Sequence, residues 1–146
     1  MRRAALALAL ALAGTLARAG APADARDATA DLYARISASD LAGVARYVPP
    51  GGFTELQGGA SSPHTLDAAA FAGLFKSGAR IELRAAALQS QSFGDTAVVT
   101  GVRVGSITLP GAPAVDMRAP FTMVWTHGVE GWQLRHVHLS AATPAP

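Results

Sequence analysis

His136 and His138 stand two residues apart in the string Gly131-Trp132-Gln133-Leu134-Arg135-His136-Val137-His138-Leu139-Ser140. Alternate residues of a strand point to the same side, so the two imidazoles could face one metal ion. A zinc site needs a third protein ligand, and His64, His127 and Asp116 have no sequence relation to this strand that would supply one. Metal binding is therefore not expected; a structural or interface role fits the pair better. Arg103 is the second candidate, the single charged residue where it alternates with Ala97, Val99 and Gly101 on one face. Its planar guanidinium can donate two parallel hydrogen bonds to a carboxylate or phosphate. The competing reading is a strand-edge arginine paired with an acid or reaching solvent. Tyr33 and Glu55 are the groups that could exchange protons beside it, although Glu55 reads best as a solvated or helix-facing carboxylate. His64, after Pro63 in a Gly/Ser-rich loop, and His127, at a hairpin turn, read as exposed turn residues. No Gly-rich phosphate loop, nucleophile elbow or His-Glu metal helix appears in the sequence. No catalytic residue and no cofactor are assigned.

The N-terminus predicts where these groups work. Arg2 and Arg3, an apolar run from Ala4 to Ala13 and the small-residue exit Ala17-Arg18-Ala19 have the three parts of an export signal. A cut after Ala19 is expected, with Ala23-Asp24-Ala25 as a weaker site. The run is shorter than the roughly 20 apolar residues that span a bilayer, so no stable membrane anchor is expected. The product would be periplasmic or secreted. Removing Arg2, Arg3 and Arg18 leaves nine basic residues against ten acidic ones, a formal charge of −1 in place of +2. The remaining arginines are scattered, which argues against nucleic acid as a partner. With no cysteine in the chain, disulfides and thiolate metal sites are excluded. One domain is expected, from about Gly20 to Ser140, followed by a disordered tail at 141–146.

The elements that must position these residues follow from periodicity. Ala28, Leu32, Tyr33 and Ile36 form one face of a helix over Asp27 to Ala38. Ser39 offers a cap and Asp40 a first-turn carboxylate to a short helix with Leu41, Val44 and Val48, stopped at Pro49-Pro50. Phe53 to Leu56 reads as a short strand and Gly58 to Pro63 as a loop. Thr65 is the expected cap of a third helix presenting Phe71, Leu74 and Phe75 and closing at Gly78. The period then becomes two, in four runs: Arg80 to Phe93, Thr96 to Leu109, Val115 to Thr126 and Gly131 to Ser140. Helices followed by strands predict an α+β domain with the helices gathered on one face of a mainly antiparallel sheet.

This order, with three strings, resembles the nuclear transport factor 2-like superfamily, a cone-shaped fold whose curved sheet and N-terminal helices enclose a pocket. The strings are Ser39-Asp40-Leu41-Ala42-Gly43-Val44, Gly94-Asp95-Thr96-Ala97-Val98-Val99, and Val124-Trp125 with the terminal run from Gly131 to Ser140. The likeness is nearest to the SnoaL-like branch and to the association domain of calcium/calmodulin-dependent protein kinase II. The resemblance implies that Trp132, Leu134, His136 and His138 lie on the outer sheet face, where this superfamily dimerises. It puts Arg135, Val137 and Leu139 on the pocket side, joined by Phe121, Met123 and Trp125, with Tyr33 and Arg103. With these residues the pocket is expected to be mostly apolar, and because two further arginines of the kinase domain's cavity fall on Met123 and Leu139, tight binding of a small dianion is not expected. The ketosteroid isomerases of the superfamily use an aspartate base that falls on Leu56, a second acid that falls on Phe121, and a tyrosine about one residue from Tyr33. Glu55 could replace the base only if the strand register slipped by one, turning it to the opposite face.

A fold shared by enzymes, transport factors and oligomerisation hubs does not fix function. The expected function is non-catalytic binding of a small, mainly apolar molecule in the pocket of an exported homodimer. The rivals are an isomerase or lyase of the SnoaL-like kind, with Arg103 orienting substrate and Tyr33 or Glu55 moving protons, and an interaction module acting through its sheet surface.

Overall fold

The computed structural model describes residues 23–141; the expected export signal and residues 142–146 of the expected tail lie outside them. Helix α1 (Ala25–Ser37) begins two residues earlier than the periodicity indicates because Asp24 is its cap, accepting from Asp27 N at 2.9 Å. Ala25, Ala28, Leu32 and Tyr33 make its buried stripe. A cut after Ala25 would remove that cap. Helix α2 (Leu41–Ala45) is capped by Asp40, not Ser39, through a bond from Gly43 N at 2.9 Å. Ser39 instead turns the chain at φ 52°. Helix α3 (Ala68–Lys76) is capped by Asp67 in place of Thr65. Thr65 belongs to a three-residue strand, β2 (His64–Leu66), paired with β1 (Phe53–Gln57), and three residues are too few to show alternation in a sequence.

The four long runs are strands: β3 (Arg80–Phe93), β4 (Thr96–Thr108), β5 (Val115–Gly128) and β6 (Gly131–Leu139). One sheet results, in the order β2-β1-β6-β5-β4-β3, antiparallel except where β1 runs parallel to β6. The helices pack on one face, giving the α+β arrangement expected. Strand β3 is an edge, and its outward backbone groups would be open to pairing with another chain. Ser37 at the end of α1 blocks one such pair, its hydroxyl donating to Leu83 O at 2.7 Å and accepting from Leu83 N at 2.9 Å.

Two irregularities shape the inner face. In β3 the register shifts between Ala86 and Gln89, where Ala87 has φ 52°. In β6, Val124 pairs with His136 but Trp125 pairs with Leu134, so Arg135 is the extra residue of a bulge. The bulge is fastened to the helix layer by Tyr47. Its carbonyl accepts from Leu134 N at 2.8 Å, and its ring meets Trp125 edge-on at 5.8 Å. Its hydroxyl donates to Asp31 Oδ2 at 2.6 Å.

Asp31 therefore ties α1 to the chain after α2, with Arg35 adding bonds of 3.3 Å to Asp31 and 3.0 Å to Asp40. Burial pushes the Asp31 carboxyl upward, but the Tyr47 hydroxyl and the Arg35 guanidinium outweigh it and hold the group below its ordinary 3.8. A carboxylate held low stabilises the fold above its ordinary value and loses that contribution as pH falls through the lowered one. Replacing Asp31 with Asn is expected to lower Tm at neutral pH and to shrink the further loss of Tm on acidification from about pH 5 to about pH 3. Equal acid-induced losses in the two proteins, measured by thermal melts, would contradict this role.

Candidate functional site

A cavity of about 150 Å³ lies between α1, α3 and the inner face of the sheet. Its walls are apolar because α1 contributes its buried stripe at Leu32 and Ile36, α3 contributes Phe71 and Leu74, and β3 contributes Ile81 and Leu83. Three polar groups enter it: Tyr33 from α1, Glu55 from β1 and Arg103 from β4. A few polar groups converging in a preformed apolar hollow are the usual form of a small-molecule site. A wider groove of about 880 Å³ runs past Pro49, Pro50, Ala68 and Glu130, but it is an open surface trough without a buried polar group aimed into it.

Each of the three polar groups has a distinct state. Tyr33 is 4 % exposed, its ring 5.9 Å from that of Phe121. Burial raises its phenol well above the ordinary value; the Arg103 charge pulls the other way, and the Glu55 charge adds to the rise. The phenol thus remains a neutral donor across the physiological range. Glu55 is 8 % exposed; its Oε1 accepts from Gln57 Nε2 at 2.7 Å and lies 3.5 Å from His64 Nε2. Arg103 is half-buried, and its Nε is enclosed without a hydrogen-bond partner. Its Nη2 has only the Met117 sulfur at 4.0 Å, a weak acceptor. Among the described residues two other buried side-chain donors lack partners, Trp125 Nε1 and Trp132 Nε1, but neither residue lines the cavity.

Of the residues expected at the pocket, Tyr33, Arg103, Met123 and Val137 line the cavity. Phe121, Trp125 and Leu139 are buried in the core behind that lining. Three expectations are overturned by strand phase. Leu134, expected on the outer face, is fully buried and lines the cavity, while Arg135, expected on the pocket side, is exposed. The bulge at Arg135 reverses the alternation of β6, so Leu134 and Val137 share the inner face although they are three apart. The same reversal packs Trp132, half-buried, against the core, its ring 4.9 Å from that of His127, so it is not an outer-face residue either. His136 and His138 stay on the outer face; His136 Nδ1 shares a 2.7 Å hydrogen bond with Thr54 Oγ1, and His138 is exposed. Among the described residues no three His, Asp or Glu side chains are placed to hold a metal ion.

Glu55, expected as a solvated or helix-facing carboxylate and kept only as a rival proton-transfer group, is buried at the cavity on the helix-facing side of the sheet. It shares the inner face with Phe53, because the alternation of β1 is buried-exposed-buried over Phe53, Thr54 and Glu55. That alternation was the available signal: Phe53 must be core, and residues two apart share a face.

No protein-family model and no curated protein matches the sequence. Solved structures do match. The hub of the S. rosetta calcium/calmodulin-dependent kinase CaMKII is 24% identical, covers 76% of this chain and 88% of its own, and superposes with a TM-score of 0.57. An NTF2-like protein of unknown function in nutrient uptake from Rhodospirillum rubrum is 20% identical over 77% of this chain and 93% of its own, at a TM-score of 0.63. A ketosteroid isomerase-like protein from Erwinia carotovora atroseptica is 14% identical over 78% and 90%, at 0.61. The chain has the nuclear transport factor 2-like fold, and at these identities the likeness is one of fold.

The corrected phase of β6 has a measurable consequence. Leu134→Ala should cost about 2–5 kcal/mol of stability, as for a fully buried leucine. His138→Ala, on the exposed face, should stay within about 0.5 kcal/mol. Urea unfolding measures both, and a Leu134→Ala protein as stable as the parent would restore the outer-face assignment.

Proposed function

We propose that this chain is an exported binding protein that holds one small, mainly apolar molecule in the cavity beneath α1, without catalysing a reaction on it, and that it works as a homodimer. The observation that carries the reading is the unfilled apolar hollow with the partnerless Nε of Arg103 at its wall. A buried donor without a partner costs about 1–3 kcal/mol, which a bound oxygen would recover. The volume, about 150 Å³, is close to that of an apolar cavity that holds a benzene ring.

Dimerisation is supported by the outer face of the sheet. Cross-strand rows Val98–Val124–His136 and Thr100–Thr122–His138 lie there, with no Asp, Glu, Lys or Arg among them, and the helices pack on the other face. A second copy would cover this surface. Export is supported by the tripartite N-terminus alone.

A second reading, isomerase or lyase chemistry, is favoured by one observation: Glu55 faces the cavity together with Tyr33 and Arg103. A carboxylate base beside a neutral phenol donor and a guanidinium can move a proton next to a carbonyl. The binding reading is preferred because Glu55 Oε1 is already engaged by Gln57 and faces His64, whereas Arg103 Nε has no partner.

Titrating the mature protein with toluene and following methyl NMR signals should shift Leu32, Leu83 and Leu134 at saturable concentrations, while light scattering gives the mass of two protomers. Signals that do not move, or move without saturating, would overturn the binding reading. A monomeric mass at high micromolar concentration would overturn the dimer.

A further inference from the structure

The outer face of the sheet holds two imidazoles that ligand binding in the cavity leaves unused. His136 and His138 stand side by side there, beyond the bulge of β6, the first half-buried and the second exposed. Alternate residues of a strand share a face, so both rings reach the same space above the sheet. His136 is already oriented. Its Nδ1 shares a 2.7 Å hydrogen bond with Thr54 Oγ1 of β1. In the tautomer whose Nδ1–H donates to that hydroxyl, the lone pair lies on Nε2, at the far side of the ring. A metal-ligating histidine commonly has such a hydrogen-bond partner on its other nitrogen.

The cross-strand neighbours of the pair are Thr54 and Leu56 on β1 and Thr122 and Val124 on β5, none of them charged. Arg135, next to His136 in sequence, is occupied by Thr126 Oγ1 at 2.7 Å and Gln133 Oε1 at 3.3 Å. Among the described residues neither ring has a carboxylate within 4 Å. Two nitrogen ligands are half of a tetrahedral set, and the described residues of one chain do not complete it. A two-fold axis through the same face would, because an isologous interface repeats every ligand of one copy in the other. Strand β6 is third of the six in sheet order, near the middle of the face that a second copy would cover. Packed sheets stand about 10 Å apart, so an ion midway is about 5 Å from each, within reach of an inclined imidazole.

We infer that two copies of the chain hold one divalent transition-metal ion of the zinc class between their sheets, through His136 and His138 of each. This rests on the dimer proposed above and adds what joins its halves. Imidazole nitrogen suits zinc, copper and nickel, whereas magnesium and calcium take oxygen ligands. Two ligands from each copy close a tetrahedral set, so the ion is structural and keeps no open position for a substrate. Thr54 is a positioning residue, which fixes the His136 ring without touching the metal.

Untagged mature protein stripped with EDTA is the sample, and zinc chloride is the probe. Calorimetric titration should give one zinc ion for every two protomers. Sedimentation should show the dimer dissociation constant falling about tenfold or more with zinc and not with magnesium. His138→Ala and His136→Ala should each abolish the zinc response, and His138→Ala, at an exposed position, should do so with no loss of Tm in the metal-free protein. Thr54→Val should weaken zinc about 10- to 100-fold, as loss of a ligand's hydrogen-bond partner does. His127→Ala, away from the pair at a hairpin end, should leave the response intact. A dimer indifferent to zinc, one ion per protomer, or a response that survives both histidine variants overturns the metal site while leaving the dimer in place. A monomer at high micromolar concentration with and without zinc overturns the two together.

Discussion

One extra residue in β6 decides what the inner face of this protein looks like. With regular alternation, Leu134 would point outward and Arg135 would enter the core beside Trp125. The bulge at Arg135 puts the guanidinium in solvent and seats Leu134 opposite Trp125, each with no measurable exposure. Such a bulge needs an external anchor, because it leaves backbone groups out of the ladder. Tyr47 is that anchor, taking the Leu134 N–H on its carbonyl, the Trp125 ring on its own, and Asp31 on its hydroxyl. Sheet phase, the chain after α2 and the position of α1 are thereby set by one junction, and α1 carries Tyr33 to the cavity.

The cavity follows from what that arrangement leaves unfilled. Above the sheet, α1 and α3 present leucine, isoleucine and phenylalanine, which close the walls but do not meet at the centre. In a hollow with so little water, polar groups keep strong preferences: Tyr33 holds its proton, and a partnerless Arg103 nitrogen becomes a standing demand for an acceptor. Arg103 borders both the inner hollow and a second recess beside Met117 and Leu139.

The long strands were readable because each is bounded by Gly-Asp, Pro-Gly or a turn of similar type, and their period of two runs for nine residues or more. Arg80–Phe93 matches the expected limits, and α1 and α3 differ from expectation only at their caps. The caps of α2 and α3 were misplaced for one reason: where two cap-forming residues stand close together, as at Ser39-Asp40 and Thr65-Asp67, tertiary pairing chooses between them. Thr65 is taken by β2, and β2 itself is too short to show a pattern. The face of β6 was misread for a different reason. A bulge is an exception to alternation, and neither Leu134 nor Arg135 signals it, since the anchor is Tyr47, far away in sequence. Arg103 was legible, as a lone charge among Ala97, Val99 and Gly101. Glu55 was named but given a minor role; the buried-exposed-buried alternation from Phe53 places it firmly on the inner face, whereas the resemblance drew attention to Leu56.

The central claim is that the hollow beneath α1 is occupied in use. A crystal structure of the mature protein purified from its own host tests it most directly. Electron density of about ring size between Leu32, Met123 and Leu83, continuing to Arg103, is the predicted result. A hollow closed by a shift of Tyr33 or Leu74, with Arg103 turned to solvent and no density beside it, would contradict the claim.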